Sequence, residues 1–192
     1  LGFNTTSYKY QLNLNPEVPT TVTNLQVNSR PGMSIQIPLI SYNPHHAINF
    51  RIKPSLSFHE TEFVYQYFDS NGRLDLQTTR TEPTNINFPV YVKFNNNFSA
   101  FAIGGMSYSY DLASQKDVVP TPMQPIIRMK PHDWQYHVGG GFDFYLPYFK
   151  LGLEIKTSRG INNLLIQDNT FFSAPLSSLR SRIWWFSITF EA

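Results

Sequence analysis

Residues Gly152 to Leu164 read GLEIKTSRGINNL. Leu153 and Ile155 alternate there with Glu154 and Lys156, and the pattern stops at Ser158-Arg159-Gly160. Successive side chains of a strand point to opposite faces. This strand therefore carries one aliphatic face and one ionic face. The fold turns on which of the two meets water.

The same period of two recurs along the chain. Phe149, Leu151, Leu153 and Ile155 oppose Lys150, Gly152, Glu154 and Lys156. Downstream, Trp184, Phe186, Ile188 and Phe190 oppose Ser187, Thr189 and Glu191. Upstream, Trp134, Tyr136, Val138, Phe142 and Phe144 oppose Gln135, His137, Gly139, Gly141 and Asp143. Ile86, Phe88, Val90, Val92 and Phe94 oppose Asn85, Asn87, Tyr91 and Lys93. Ile48, Phe50, Ile52, Leu56 and Phe58 oppose Asn49, Arg51, Lys53, Ser55 and Ser57. Met33, Ile35, Ile37 and Leu39 oppose Ser34 and Gln36, and Tyr8, Tyr10, Leu12 and Leu14 oppose Ser7, Lys9, Gln11 and Asn13. In Ala100–Leu112 both faces carry apolar groups, Phe101 and Ile103 on one, Met106, Tyr108 and Tyr110 on the other.

These eight segments have about the 9–11 residues that a tilted strand needs to cross a bilayer. Their connections alternate in length. Ser41–His46, Asn95–Phe98 and Leu146–Tyr148 are short; Asn15–Arg30, Tyr67–Thr84, Ala113–Lys130 and Ser158–Ser178 are long. An antiparallel meander puts all the short links at one end. The reading is an all-β, eight-stranded antiparallel up-and-down transmembrane barrel with short periplasmic turns and long extracellular loops, one domain over residues 1–192.

Composition agrees. Charged residues make up 15% of the chain, against about 25% in soluble domains, and aromatics make up 16%. A formal charge of +2 with no basic run gives no sign of nucleic-acid binding. The absence of cysteine excludes disulfides, thiolate metal sites and Cys nucleophiles. No apolar run approaches the roughly 18 residues of a membrane helix. The chain opens mid-pattern at Leu1-Gly2-Phe3, so a processed or trimmed N-terminus is expected.

Alternation alone fits a soluble barrel as well, with its apolar face inward. Three features favour lipid. The connections are asymmetric in length. Aromatics gather near segment ends, and Trp134, Tyr148, Phe149, Trp184 and Phe190 are the candidate interfacial girdle. The polar face carries both signs. Arg51, Lys53, Lys93, His137, Asp143, Lys150, Glu154 and Lys156 are the candidate polar cluster of the lumen, with Lys9 and Glu191 on the same face. An eight-stranded lumen is only wide enough to be filled by side chains, and buried charges there must pair. Pro38, Pro54 and Pro89 fall inside strands, where each removes a ladder donor, so local bulges are expected.

Five stretches resemble a known family: GFNTTSYKYQL from Gly2, INFPVYVKF at Ile86–Phe94, AIGGMSYSYDL at Ala102–Leu112, GGGFDFYLPYFKLGLEIKTSRGINNLL at Gly139–Leu165, and LRSRIWWFSITFE at Leu179–Glu191. They are similar to the PorT family of Bacteroidetes outer-membrane barrels, a component of the type IX secretion system also linked to gliding motility. The resemblance implies an outer-membrane location, a role in protein transport, no catalytic residues and no cofactor. It implies partners among other secretion-system proteins and outer-membrane lipid. One departure stands out: such chains often end on an aromatic, whereas Glu191 and Ala192 follow Phe190.

Other candidates have plain structural readings. His45-His46 sits in an expected turn, where neighbours point apart. His132-Asp133 and His137 suggest hydrolysis only if a nucleophile lies within hydrogen-bond reach, which would make a small enzyme acting on lipid A. Gly139-Gly140-Gly141 lacks the Lys-Ser/Thr of a phosphate loop and reads as close packing beneath aromatic rings. Asp143 and Glu154 share their face with lysines and read as ion pairs. Asn71-Gly72 is a turn signal. Val118-Val119-Pro120, Pro125-Ile126-Ile127 and Leu164-Leu165-Ile166 are apolar loop segments, expected to pack over the barrel mouth or to form a partner surface. The alternatives kept are the lipid A enzyme and a soluble ligand-binding barrel.

Overall fold

The structure is a computed structural model that describes residues 1–12, 22–45, 47–68, 72–95, 99–118, 126–168 and 173–191. Its described elements are strands: β1 (Gly2–Leu12), β2 (Val22–Gln36), β3 (Ile40–His45), β4 (Ile48–Ile52), β5 (Ser55–Phe68), β6 (Leu74–Thr81), β7 (Thr84–Asn95), β8 (Ala100–Asp111), β9 (His132–Tyr145), β10 (Lys150–Gly160) and β11 (Leu176–Glu191). They form one antiparallel sheet in the order β3-β4-β7-β8-β9-β10-β11-β1-β2-β5-β6, and a further β5–β7 pairing closes it.

The eleven strands make eight legs. β4 and β5 lie along the same strand: Ile48–Ile52 pair with Phe94–Val90 of β7, and Ser55–Phe58 pair with Asn87–Thr84 in the same register. β6 and β7 likewise share one register against β5. β2 and β3 follow one another against β5 and β4. Closure matters because the bilayer core offers no water to a free strand edge.

The prolines account for the interruptions. Pro38 lies in the gap between β2 and β3, where Ile37 N–H donates to Pro54 O at 2.9 Å and Leu39 N–H donates to Ile52 O at 3.0 Å. The ladder thus steps over Pro38. Pro54 lies between β4 and β5. Pro89 sits inside β7 with the parity of Asn95, whose N–H donates to Ala47 O on the β4 side. The donor that Pro89 lacks therefore falls opposite the Lys53-Pro54 break, where no ladder partner waits.

Leu1, Glu191 and the links at Ala47, Ser99 and Leu146–Phe149 gather at one end of the ring; the long connections gather at the other. The strands are tilted. The row of paired residues Ser187, Gly2, Ser34, Ser57, Asn85 and Asp111 starts near the end of β11 and finishes at the far end of β8. Such stagger is what closes a barrel.

Inside and outside follow parity. Glu154 and Lys156 point inward and are buried, while Leu151, Leu153 and Ile155 point outward. A belt of Met33, Ile35, Phe88, Val90, Val138 and Phe186, among others, is exposed. Burying aliphatic surface stabilises by about 25 cal/mol per Å², so a bare belt of this size has lipid as its medium. In β8 parity runs unbroken: Phe101, Ile103, Ser107 and Ser109 face inward, and Met106 and Tyr110 face outward.

Three expectations need correction. The first strand runs Gly2–Leu12, and its faces are reversed: Tyr8 is buried in the interior and Lys9 is exposed outside. The reason is height. Above the bilayer the interior becomes apolar, and Tyr8 packs there against Phe63, the two rings tilted with centroids 5.6 Å apart. The long connections are shorter than expected, because β2 starts at Val22, β5 continues to Phe68, β6 occupies Leu74–Thr81 and β11 starts at Leu176. The expected turn at Ser41–His46 is mostly β3. The strands therefore outrun the membrane on the long-loop side.

Candidate functional site

Among the described residues the lumen holds the most concentrated chemistry, in four layers. At the short-turn end an unbroken ionic chain crosses five legs. Arg51 meets Glu191 at 3.2 Å, Glu191 meets Lys150 at 2.5 Å, Lys150 meets Asp143 at 3.7 Å, and Asp143 meets Lys93 at 2.5 Å. At mid-depth Glu154 takes Lys156 at 2.7 Å and Lys53 at 3.5 Å. Five cations thus face three carboxylates, and π faces take up part of the surplus. Lys93 Nζ lies 3.7 Å from the Phe101 ring centre, and Lys156 Nζ lies 4.8 Å from that of Tyr91 and 5.8 Å from that of Trp185. Such contacts strengthen where water is excluded.

Hydrogen bonds without ion pairs occupy the next level. Ser107 Oγ lies 2.7 Å from His137 Nε2, and Trp185 Nε1–H donates to Ser158 Oγ at 3.0 Å. Gln135 donates to Asp133 at 2.9 Å, and Ser181 donates to the same carboxylate. Above them an apolar plug closes the long-loop end. Tyr8, Leu25, Phe63, Tyr65, Leu176 and Leu179 are packed there beneath Ile127, Leu164 and Leu165 from the loops. Backbone bonds tie those loops down: Lys130 N–H donates to Leu164 O, and Leu164 N–H donates to Leu179 O, both at 2.8 Å.

All eight residues of the expected polar cluster point into the lumen. Arg51, Lys53, Lys93, His137, Asp143, Glu154 and Lys156 are buried and Lys150 is partly so. Ion pairs link the others, while His137 bonds to Ser107 instead. Of the girdle residues, Trp134, Tyr148, Phe149, Trp184 and Phe190 are exposed outside. Phe149 and Phe190 touch at the short-turn end, and Trp134 joins Tyr108, His132 and Tyr110 near the other.

Sequence reasoning passed over Trp185, Ser107, Ser158 and Ser181. The available signal was parity: each shares it with a lumen residue on its own strand. Gly139-Gly140-Gly141 lies within β9. A Cβ on Gly141 would come within 2.0 Å of Leu153 O and 2.7 Å of Phe101 Cζ. That glycine leaves room for the Phe101 ring against β9.

The remaining candidates sort by placement. Ile127, Leu164 and Leu165 pack over the mouth, whereas Val118 is exposed; Val119, Pro120 and Pro125 lie outside the described residues. His45 ends β3, but its side chain, His46 and Asn71 lie outside the described residues; Gly72 has a φ of +72°. His132 faces outward and bonds to Tyr108. The Ser107–His137 pair is a nucleophile and base in reach of each other, but it is sealed inside the lumen, away from lipid. Among the described residues no cluster of three or more His, Asp or Glu is arranged to hold a metal ion.

A closed ring of eight legs with an ionic interior and a bare apolar belt is the architecture of an outer-membrane β-barrel. The chain belongs to the outer membrane protein beta-barrel domain family, whose model matches residues 1–165. The protein is accordingly located in the outer membrane, which sets aside the soluble barrel. Comparison with curated proteins and with solved structures gives no match.

Proposed function

We propose that this barrel is a non-enzymatic component of the type IX secretion system that works by protein–protein contacts. The observation that carries the reading is the filled lumen. Ion pairs and an apolar plug occupy it from end to end, and an exported protein needs a far wider bore. A barrel of this kind serves as an anchored platform. The PorT-like stretches supply the link to secretion and gliding motility.

The platform has a candidate contact surface. The β5–β6 hairpin and the start of β2 rise above the lipid belt. Phe68, Leu74 and Leu76 are exposed near its tip, beyond the charged band of Arg30, Glu60, Glu62 and Arg80. Exposed apolar groups outside the membrane suit a partner protein. The lipid A enzyme is the weaker reading, because His137 has its serine inside the barrel and His132 has a tyrosine as its partner.

The test is genetic. Deletion of the gene should leave cargo proteins in the periplasm, and the wild-type gene should restore them to the surface. A Leu74→Asp/Leu76→Asp variant should insert normally yet fail to restore display. Normal display in the deletion strain would remove the secretion role.

A further inference from the structure

The two sides of the barrel differ in how they treat charge above the lipid belt. On β2, β5 and β6 the outward charges are balanced. Arg30 meets Glu60 at 3.3 Å and Glu62 at 3.7 Å, and Arg80 meets Glu62 at 3.1 Å. On β10, β11 and β1 the outward charges are all positive: Arg159, Arg180, Arg182 and Lys9. The register sets like against like, with Lys9 directly opposite Arg180 and Arg159 directly opposite Arg182. Directly opposed like charges destabilise a sheet. Among the described residues no carboxylate lies within ion-pair distance of any of the four.

Their height is fixed by aromatics. Trp184 lies two residues nearer the short-turn end of β11 on the same face, and the Arg182 guanidinium stands 6.0 Å from its ring centre. Trp134 and Tyr136 face outward on β9 next door, and Tyr136 is directly opposite Arg159. Such aromatics mark the headgroup level of a membrane. The long-loop end is the outer face of a barrel. A groove of about 630 Å³ runs beside the cations, lined by Tyr10, Tyr136 and Ile161 together with them.

We propose that Lys9, Arg159, Arg180 and Arg182 form a cradle for a phosphate of the phosphorylated glycolipid in the outer leaflet. The guanidinium forks match phosphate geometry in two-pronged fashion. The neighbouring groove takes the first methylenes or sugar edge of the same lipid. An anion there removes the repulsion that the register builds in, so the site is incomplete without its lipid. This inference does not depend on the secretion role.

The test is native mass spectrometry of the full chain in detergent, titrated with diphosphorylated lipid A and with lipid A stripped of phosphate. The wild type should prefer the phosphorylated form by about ten-fold or more. An Arg159→Gln/Arg182→Gln variant should lose that preference, and an Arg30→Gln/Arg80→Gln variant, which removes the same charge from the balanced side, should keep it. Heat-modifiable migration on a gel confirms that each variant is folded. Equal binding of both lipids by the wild type would overturn the proposal, as would unchanged preference in the Arg159/Arg182 variant. Retention of poly-glutamate by a barrel indifferent to lipid A would assign the cluster to an acidic protein partner and overturn it as well.

Discussion

Glu154 lies two residues before Lys156 on β10, and the two side chains meet inside the barrel at 2.7 Å. Residues two apart on a strand share a face, so this pair is local in sequence. Its consequence is not. Lys53 arrives from the break between β4 and β5 and meets the same carboxylate at 3.5 Å. One glutamate thus ties together legs that are distant along the chain.

Removing that carboxylate strands two buried cations. Glu154→Gln should destabilise the folded barrel by about 3–5 kcal/mol, the usual cost of breaking a buried pair from one side. A Glu154→Gln/Lys53→Met variant should recover part of that loss. Urea titration in lipid vesicles, followed by the heat-modifiable gel shift, measures both.

Two adjacent glycines should respond in opposite ways. A Cβ on Gly105 would lie 2.1 Å from Val90 O and 2.8 Å from Tyr91 Cδ1, whereas the nearest atom to one on Gly104 is 3.9 Å away. Gly105→Ala should cost about 1–3 kcal/mol, the range for an overpacked interior. Gly104→Ala should be close to neutral. The same urea titration separates them.

The belt should resist charge. Val138 points outward at the middle of β9, and Val138→Arg should destabilise insertion by about 2–4 kcal/mol, as for arginine at a bilayer midplane. Lys9→Leu, above the belt, should instead be neutral or slightly stabilising, because it relieves the repulsion with Arg180 opposite.

The filled lumen should not conduct. Purified barrel in a planar bilayer should give no porin-like steps. Steady openings in the wild type would mean that the ionic layers or the plug are not in place.

Much of this was legible in the residues. Parity in GLEIKTSRGINNL assigned Leu153 and Glu154 to opposite faces, and the mixed signs on the polar face anticipated its ion pairs. Parity could not supply depth. Tyr8 and Lys9 exchange roles because a barrel wall that leaves the membrane swaps its inner and outer solvents, and nothing in a seven-residue window marks that level. The extension of β5 and β6 into an expected loop was hidden for a related reason. Thr78, Thr79 and Arg80 look like loop composition, yet they pair in register with Val64, Phe63 and Glu62. The lumen serines were hidden by their number, since only register brings Ser107 to His137.

The central claim is the inside-out assignment, and two neighbouring residues test it most directly. Trp184 is 44% exposed on the outer face, and Trp185 is 3% exposed in the lumen. Single-tryptophan barrels, each retaining one of them, can be placed in vesicles of brominated phospholipid. Trp184 should be strongly quenched by the brominated acyl chains, while Trp185 should be shielded both from them and from acrylamide in water. Strong bromine quenching of Trp185 with a shielded Trp184 would contradict the assignment.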